Sequence, residues 1–289
     1  MSKPTQQQLE DIKAAQKIYE EKLLNKVILI LYADIPNKNL KKLTVDKLKT
    51  FKIVGFEVNF EKENFMHLVG IKRKSIKMPL EIFYNNIKKN KVLLNDFELS
   101  EYSNKKNSVF PNLPTALRTV GTVGDYNYSK PYIEADKIIG STKKMNTAVL
   151  GVREKFTKSS NLLIKRFAPV SLLEEITENL IKKDTQRKIL VILEKTVNEK
   201  YYNKLSYKNK DYPIENLYNN KDFYKLLSFE LQEKILFEIT GKEKEEVKKE
   251  INKEQEKNKV NDVEKKTKLE KEKPKREKRS RIRSRVNER

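Results

Sequence analysis

Residues 117–151 read LRTVGTVGDYNYSKPYIEADKIIGSTKKMNTAVLG. The whole chain has 7 glycines, and Gly121, Gly124, Gly140 and Gly151 all fall in this stretch. Glycine reaches backbone conformations that other residues avoid, so four together predict a shaped segment and not a plain helix. Polar and basic side chains crowd between them: Asp125, Tyr126, Tyr128, Lys130, Tyr132, Asp136 and Lys137. Ala116, Leu117 and Val120 predict packing just before the stretch, and Val149 with Leu150 a strand just after it. A polar segment held between core elements is where a site is commonly built.

Downstream, three strands are expected in quick succession, at Ala148–Val152, Leu162–Val170 and Ile189–Lys195. The last, ILVILEK, is nearly all apolar and reads as central. A short helical piece is expected at Ser171–Ile181, a fourth strand at Tyr201–Tyr207, and an amphipathic helix at Asp222–Ile239. Upstream, Thr5 and Gln8 fit a capping box opening a helix over residues 5–24. KVILILY, Lys26–Tyr32, reads as a buried strand, Pro36–Asn39 as a turn, and residues 54–60 alternate with the period of a strand. ENFMHLVGI, Glu63–Ile71, predicts a short helix ended near Gly70, in which His67 lies off the apolar stripe of Phe65, Leu68 and Val69. A second helix is expected over Pro79–Asn90, a strand over Leu93–Leu99, and a polar loop over Ser100–Asn107. Two short helices followed by a run of strands predict an α+β fold with short helices packed on an antiparallel sheet.

Lys and Arg number 63 against 41 Asp and Glu, a net charge of +22 over 289 residues. Such a surface attracts phosphate polymers or anionic membranes. The abundance of Lys, Asn and Ile also suits an AT-rich genome, so charge alone identifies no ligand. Residues 242–289 hold a net +8 and end KPKREKRSRIRSRVNER. Their apolar content is too low to fold alone, so a disordered basic tail able to bind phosphates is expected. The absence of Cys excludes disulfides, thiolate chemistry and Cys-ligated metal centres, and the single His excludes two-histidine ribonuclease chemistry. No apolar run reaches membrane-spanning length, and MSKPTQQQ lacks a signal-peptide core, so a cytoplasmic protein without membrane partners is expected. Walker, dinucleotide-binding, zincin and serine-hydrolase motifs are absent.

The order ENFMHLVGIK, FYNNIKKNKV, LNDFELS, VGDYNYSKPYIEADKIIGS, ILVILEK and YYNKLSY resembles one family, the phage-associated nuclease-like subgroup four of the barnase–EndoU–colicin–RelE (BECR) fold. The resemblance spans roughly Lys52–Asn209, and FMHLVGI and GDYNYSKPYIEADKIIG carry it most specifically. Lys130 stands where an arginine is expected, and Glu134 where a small or aromatic residue is. The resemblance implies a metal-independent endoribonuclease of a phage or other mobile element, working without a cofactor in the host cytoplasm or carried in a virion. RNA, and phage or mobile-element proteins, are the implied partners, and a toxin role fits that setting. His67 matches the first motif. Asp125, Tyr126, Lys130, Tyr132, Asp136 and Lys137 match the second, with Thr185 and Lys188 before the ILVILEK strand.

Metal-free RNA cleavage needs a base for the 2′-hydroxyl, cations around the phosphorus and an acid for the leaving oxygen. His67, Lys130, Lys137 and Tyr132 are the expected catalytic groups. Asp125, Tyr126, Tyr128, Asp136, Thr185 and Lys188 are the expected substrate contacts, the tyrosines as stacking platforms. The expected organisation is an N-terminal helix and strand (1–50) packed on the core, a nuclease domain (51–215), an amphipathic helix (216–241) and the tail (242–289). The alternative is a nuclease-fold module that binds nucleic acid or a virion component and cuts nothing. The enzyme reading requires His67 and the lysines to share a cleft.

Overall fold

The capping box forms as read. Thr5 N–H donates to Gln8 Oε1 (2.8 Å), and Gln8 N–H donates to Thr5 Oγ1 (3.2 Å). It opens helix α1 (Gln6–Lys22), which buries Leu9, Ile12 and Tyr19. The computed structural model describes residues 3–35, 52–74, 78–119, 121–129, 133–141, 148–155 and 164–241. The turn expected at Pro36–Asn39 and the basic tail 242–289 lie outside these. Among the described residues, those up to Ile235 form one compact unit, and residues 236–241 belong to a second.

After α1 come β1 (Lys26–Ala33), β2 (Ile53–Asn59), α2 (Lys62–Val69), β3 (Ile71–Arg73), α3 (Leu80–Lys88), β4 (Phe97–Leu99), α4 (Ser103–Val109) and α5 (Leu113–Ala116). The second half carries β5 (Gly121–Asp125), β6 (Lys137–Ser141), β7 (Ala148–Glu154), β8 (Lys165–Glu174), α6 (Thr177–Leu180), β9 (Arg187–Thr196) and β10 (Lys204–Lys208). Helices α7 (Glu215–Asn219), α8 (Lys221–Tyr224) and α9 (Phe229–Thr240) follow, so the single helix expected over Asp222–Ile239 is broken in two.

Eight strands form one sheet in the order β1-β2-β8-β7-β6-β5-β9-β10, and β1 also pairs with β9. The sheet therefore closes on itself through the β1–β9 ladder. Its ladders are antiparallel except between β2 and β8, which run parallel where Phe56, Glu57 and Val58 meet Lys165, Arg166 and Phe167. Strand β9 is central as expected and pairs with three strands, β1, β5 and β10. The class is α+β, with short helices on a mainly antiparallel sheet.

One face of the sheet and the N-terminal helices share a core. Ile30, Phe56, Leu150 and Phe167 meet Ile12, Tyr19, Phe65 and Phe110 in one buried cluster. Tyr19 lies 5.4 Å from Phe65 and 6.2 Å from Tyr84, ring centre to ring centre, and Phe65 lies 5.9 Å from Phe110. The opposite face carries a smaller cluster of Tyr126, Ala135, Ile138, Val149, Leu180 and Ile181.

Strands β5 and β6 were not legible as strands, because glycines interrupt their apolar pattern. These glycines serve close packing on the second face. A Cβ on Gly124 would sit 2.3 Å from Ile181 Cγ2, and one on Gly140 would sit 2.1 Å from Thr177 Oγ1. Two further expectations are corrected. The polar loop expected over Ser100–Asn107 is largely helix α4, and β8 continues to Glu174 where a helical piece was expected from Ser171.

The close approach at Gly140 is testable. Thr177 is buried, and its hydroxyl donates to Ser141 O (3.2 Å), so it cannot swing away without breaking that bond. Gly140→Ala should cost about 1–3 kcal/mol in urea unfolding, the usual range for overpacking. Adding Thr177→Ala removes the clashing atoms, so the double variant should be more stable than the sum of the two single losses. Strict additivity would show that the two residues do not touch.

Candidate nucleic-acid cleft

Helix α2 is positioned at both ends. Glu61 N–H donates to Asn64 Oδ1 (2.8 Å) at its start. Phe65, Met66, Leu68 and Val69 turn into the core, which leaves His67 exposed on the other side. The helix stops at Gly70, whose φ of +74° is the left-handed conformation that closes a helix at little cost to glycine. A Cβ there would strike Ser100 Oγ at 2.6 Å and approach Lys106 Cδ at 3.3 Å. Glycine thus lets α4 dock on the end of α2. Ser103 Oγ donates to Val69 O (2.9 Å), and Lys106 Nζ donates to His67 O (2.8 Å) and Ser171 Oγ (3.2 Å).

This docking makes one wall of an open cleft of about 930 Å³. His67, Lys72 and Lys106 line it from α2, β3 and α4, facing Tyr128, Asp136 and Arg153. Lys106 is only 9% exposed. Burial draws its pKa from 10.5 down to about 8, and no carboxylate among the described residues opposes that shift. His67 is exposed on its outer side, but the cleft wall partly desolvates its ring, which together with the charges of Lys106 and Arg153 lowers its pKa and favours the neutral imidazole at pH 7. Arg153 pairs with Glu134 (2.6 Å), but both side chains are solvent-exposed and such a pair is weak. Asp136 is held in place by Glu154 N–H (2.7 Å) and receives the Tyr128 hydroxyl at 3.4 Å. Tyr128 is 58% exposed, its ring edge-on to Tyr126 and under the Lys182 ammonium at 5.3 Å.

The motif read as a single site is divided between two clefts, and the strand period divides it. Asp125 and Lys137 stand directly opposite each other on β5 and β6, and their side chains pair at 2.7 Å. They line a smaller cleft of about 140 Å³ with Tyr32, Asp34, Thr185 and Arg187. Their neighbours Tyr126 and Asp136 turn the other way, into the cleft of His67. Lys137 is thus in a different cleft from His67 and is committed to Asp125. Thr185 Oγ1 accepts from Asp125 N–H (2.9 Å) and donates to Lys182 O (2.9 Å). Lys188 pairs with Asp211 (2.9 Å) and lines neither cleft. Tyr126, expected to stack a base, is 0% exposed. It is a core residue that backs Tyr128. Lys130 and Tyr132 lie outside the described residues.

The large cleft therefore brings together His67, Tyr126, Tyr128 and Asp136 of the expected residues and adds Lys72, Lys106, Arg153 and Ser171. Lys106 was missed because SNKKNSV reads as polar loop. The signal was the spacing of Ser103, Lys106 and Val109, which places all three on the buried side of one helix. Arg153 was missed at the end of the VLGVRE strand, where alternation alone turns it outward. Among the described residues, no three His, Cys, Asp or Glu side chains gather as metal ligands, and no helix is long and apolar enough to cross a membrane.

No curated protein and no solved structure matches this chain. The sequence model of one family, described as phage-Barnase-EndoU-ColicinE5/D-RelE like nuclease 4, matches residues 11–211. That span holds most of α1, the closed sheet and every residue named in both clefts. With well over half of its length matched, the chain belongs to the phage-Barnase-EndoU-ColicinE5/D-RelE like nuclease 4 family.

Proposed function

We propose that the protein is a metal-independent endoribonuclease working in the His67 cleft. The observation that carries this reading is the convergence of a neutral imidazole with the cations of Lys72, Lys106 and Arg153 in one open groove. His67 takes the proton of a ribose 2′-hydroxyl, and the freed oxygen attacks the adjacent phosphorus. Arg153, held only by an exposed pair with Glu134, exchanges that partner for the phosphate and stabilises its developing charge. Exposed Tyr128 supplies a stacking face, which suits single-stranded RNA. The family's description as phage-associated supports a setting in a phage or other mobile element, acting in the host cytoplasm.

Single-stranded RNA should be cut in the presence of EDTA, leaving a 2′,3′-cyclic phosphate, and the matching DNA should stay intact. His67→Ala should lower kcat/KM by about 100-fold or more and barely change the melting temperature, since the side chain faces the cleft. Cleavage abolished by EDTA, or equal cleavage of DNA, would refute the mechanism. Retained RNA binding with no wild-type cleavage would leave the binding-module alternative.

The pH profile has a defined sign. A base whose pKa is lowered stays neutral to lower pH, so the acid limb of kcat/KM should lie below the ordinary histidine value of 6.5. Stability follows the same direction. The unfolded chain protonates His67 first, so this contribution is present above 6.5 and is lost as pH falls through the lower folded value. An acid limb above 6.5 would contradict the environment described.

The tail carries eight Lys and Arg within residues 275–289. On a single strand, each phosphate that a protein neutralises adds about 0.7 to the slope of log affinity against log salt. Deleting residues 242–289 should therefore flatten that slope by the same amount for every phosphate the tail had neutralised. An unchanged slope would mean that the tail does not touch the nucleic acid.

A further inference from the structure

We propose that Lys106 is the general acid of the reaction, protonating the 5′-oxygen as it leaves. The inference rests on the ribonuclease reading of the His67 cleft. The other groups lining that cleft differ from Lys106 in position or chemistry, and Lys72 is exposed on β3 whereas Lys106 is buried. Arg153 is a guanidinium and stays protonated. Asp136 serves as an acceptor, receiving Glu154 N–H on one carboxyl oxygen and the Tyr128 hydroxyl on the other. Tyr128 keeps its proton more firmly than an ordinary phenol, because partial desolvation and the Asp136 charge raise its pKa.

Lys106 differs from each. Its ammonium is buried with two neutral acceptors, His67 O and Ser171 Oγ, and among the described residues no carboxylate pairs with it. An ammonium has three protons, so two hydrogen bonds leave one to donate. Burying an unpaired cation is costly, and a fold that keeps one beside the single histidine of the chain has placed it for chemistry. The bond to His67 O also fixes the ammonium beside the residue that takes the other proton.

The protonation states match the two roles. At pH 7 His67 is neutral and can accept, while Lys106, with a pKa of about 8, is mostly protonated and can donate. In the step, the 2′-oxygen loses its proton to the imidazole and forms a bond to phosphorus. The phosphorus–5′-oxygen bond breaks, and its electron pair takes a proton from Lys106 Nζ. The products are a 2′,3′-cyclic phosphate, a 5′-hydroxyl, imidazolium and neutral amine. Solvent returns the last two to their starting states.

The competing role is structural. Lys106 also caps the carbonyl end of α2, where a cation is favourable. Two substrates separate the roles: a dinucleoside phosphate, whose alkoxide leaving group needs a proton, and a nucleoside 3′-(p-nitrophenyl phosphate), whose phenolate leaves without one. Lys106→Ala should lose about 100-fold or more on the first and less than about tenfold on the second. Lys106→Arg keeps the charge and the cap but donates no proton. It should show the same split between substrates, and the alkaline limb expected at about pH 8 in wild type should vanish.

Equal losses on both substrates, or an unchanged alkaline limb in Lys106→Arg, would make Lys106 a helix cap and overturn the proposal. If Lys106→Ala does not fold, the arginine variant carries the same comparison alone. A wild-type protein that cleaves neither substrate would remove the ribonuclease reading and this inference with it. A wild type that cleaves both, with no selective loss in the variants, removes the inference alone.

Discussion

The burial of Phe65, Leu68 and Val69 fixes the orientation of α2, and the cleft depends on that orientation. Phe65 sits among Tyr19, Tyr84 and Phe110, with ring centres 5.4–5.9 Å away. Such pairs each contribute about 0.5–1.5 kcal/mol beyond the area they bury. Tyr19 locks the arrangement further by donating its hydroxyl to Glu61 O (2.7 Å), just before the helix begins. With one face of α2 held in this way, His67 can point only outward. The end of the helix at Gly70 then decides where α4 docks, and so where Lys106 ends. The chemistry of the cleft is set by aromatic packing on the far side of a helix of 8 residues.

The two clefts differ in how their charges are settled. In the smaller one Lys137 is matched to Asp125, and Thr185 uses its hydroxyl as both acceptor and donor. These groups tie β5, β6 and the approach to β9 together. In the larger one Lys106 has only neutral acceptors among the described residues, Arg153 has a partner open to water, and the surroundings of His67 favour its neutral form. Groups left in unfavourable protonation environments lower stability, and proteins accept that loss where function requires it. The contrast between matched and unmatched charge, more than the number of polar residues, distinguishes the two clefts.

The legible parts of the sequence were those where one physical signal dominated. The apolar run of β1, the alternation of β2, the capping box of α1 and the Gly70 stop each depend on local periodicity or local backbone geometry. His67 was legible as facing away from the core for the same reason. What escaped were features set by distant partners. The glycines of β5 and β6 make sense only against Ile181 and Thr177, far along the chain. The buried position of Lys106 depends on α2 ending beside it, and its residue type argues for solvent. The division of Asp125 and Tyr126 between two clefts follows from strand alternation, which could not be applied while β5 was read as part of a shaped polar segment.

The closed sheet sets an order of events during synthesis. Strand β1 is apolar along KVILILYA and finds its β9 partner only after about 160 further residues have been made. At usual translation speeds that interval is on the order of ten seconds. Throughout it, one edge of β1 has no ladder to join, the condition that attracts chaperones and invites aggregation. Pairings this distant along the chain also form slowly once both partners exist. The cleft follows the same schedule, because Arg153 and Ser171 come from β7 and β8, well after His67. A nascent chain still held at the ribosome with β8 unmade has no complete groove, so any nuclease activity of this fold begins only after most of the protein has left the machine that made it.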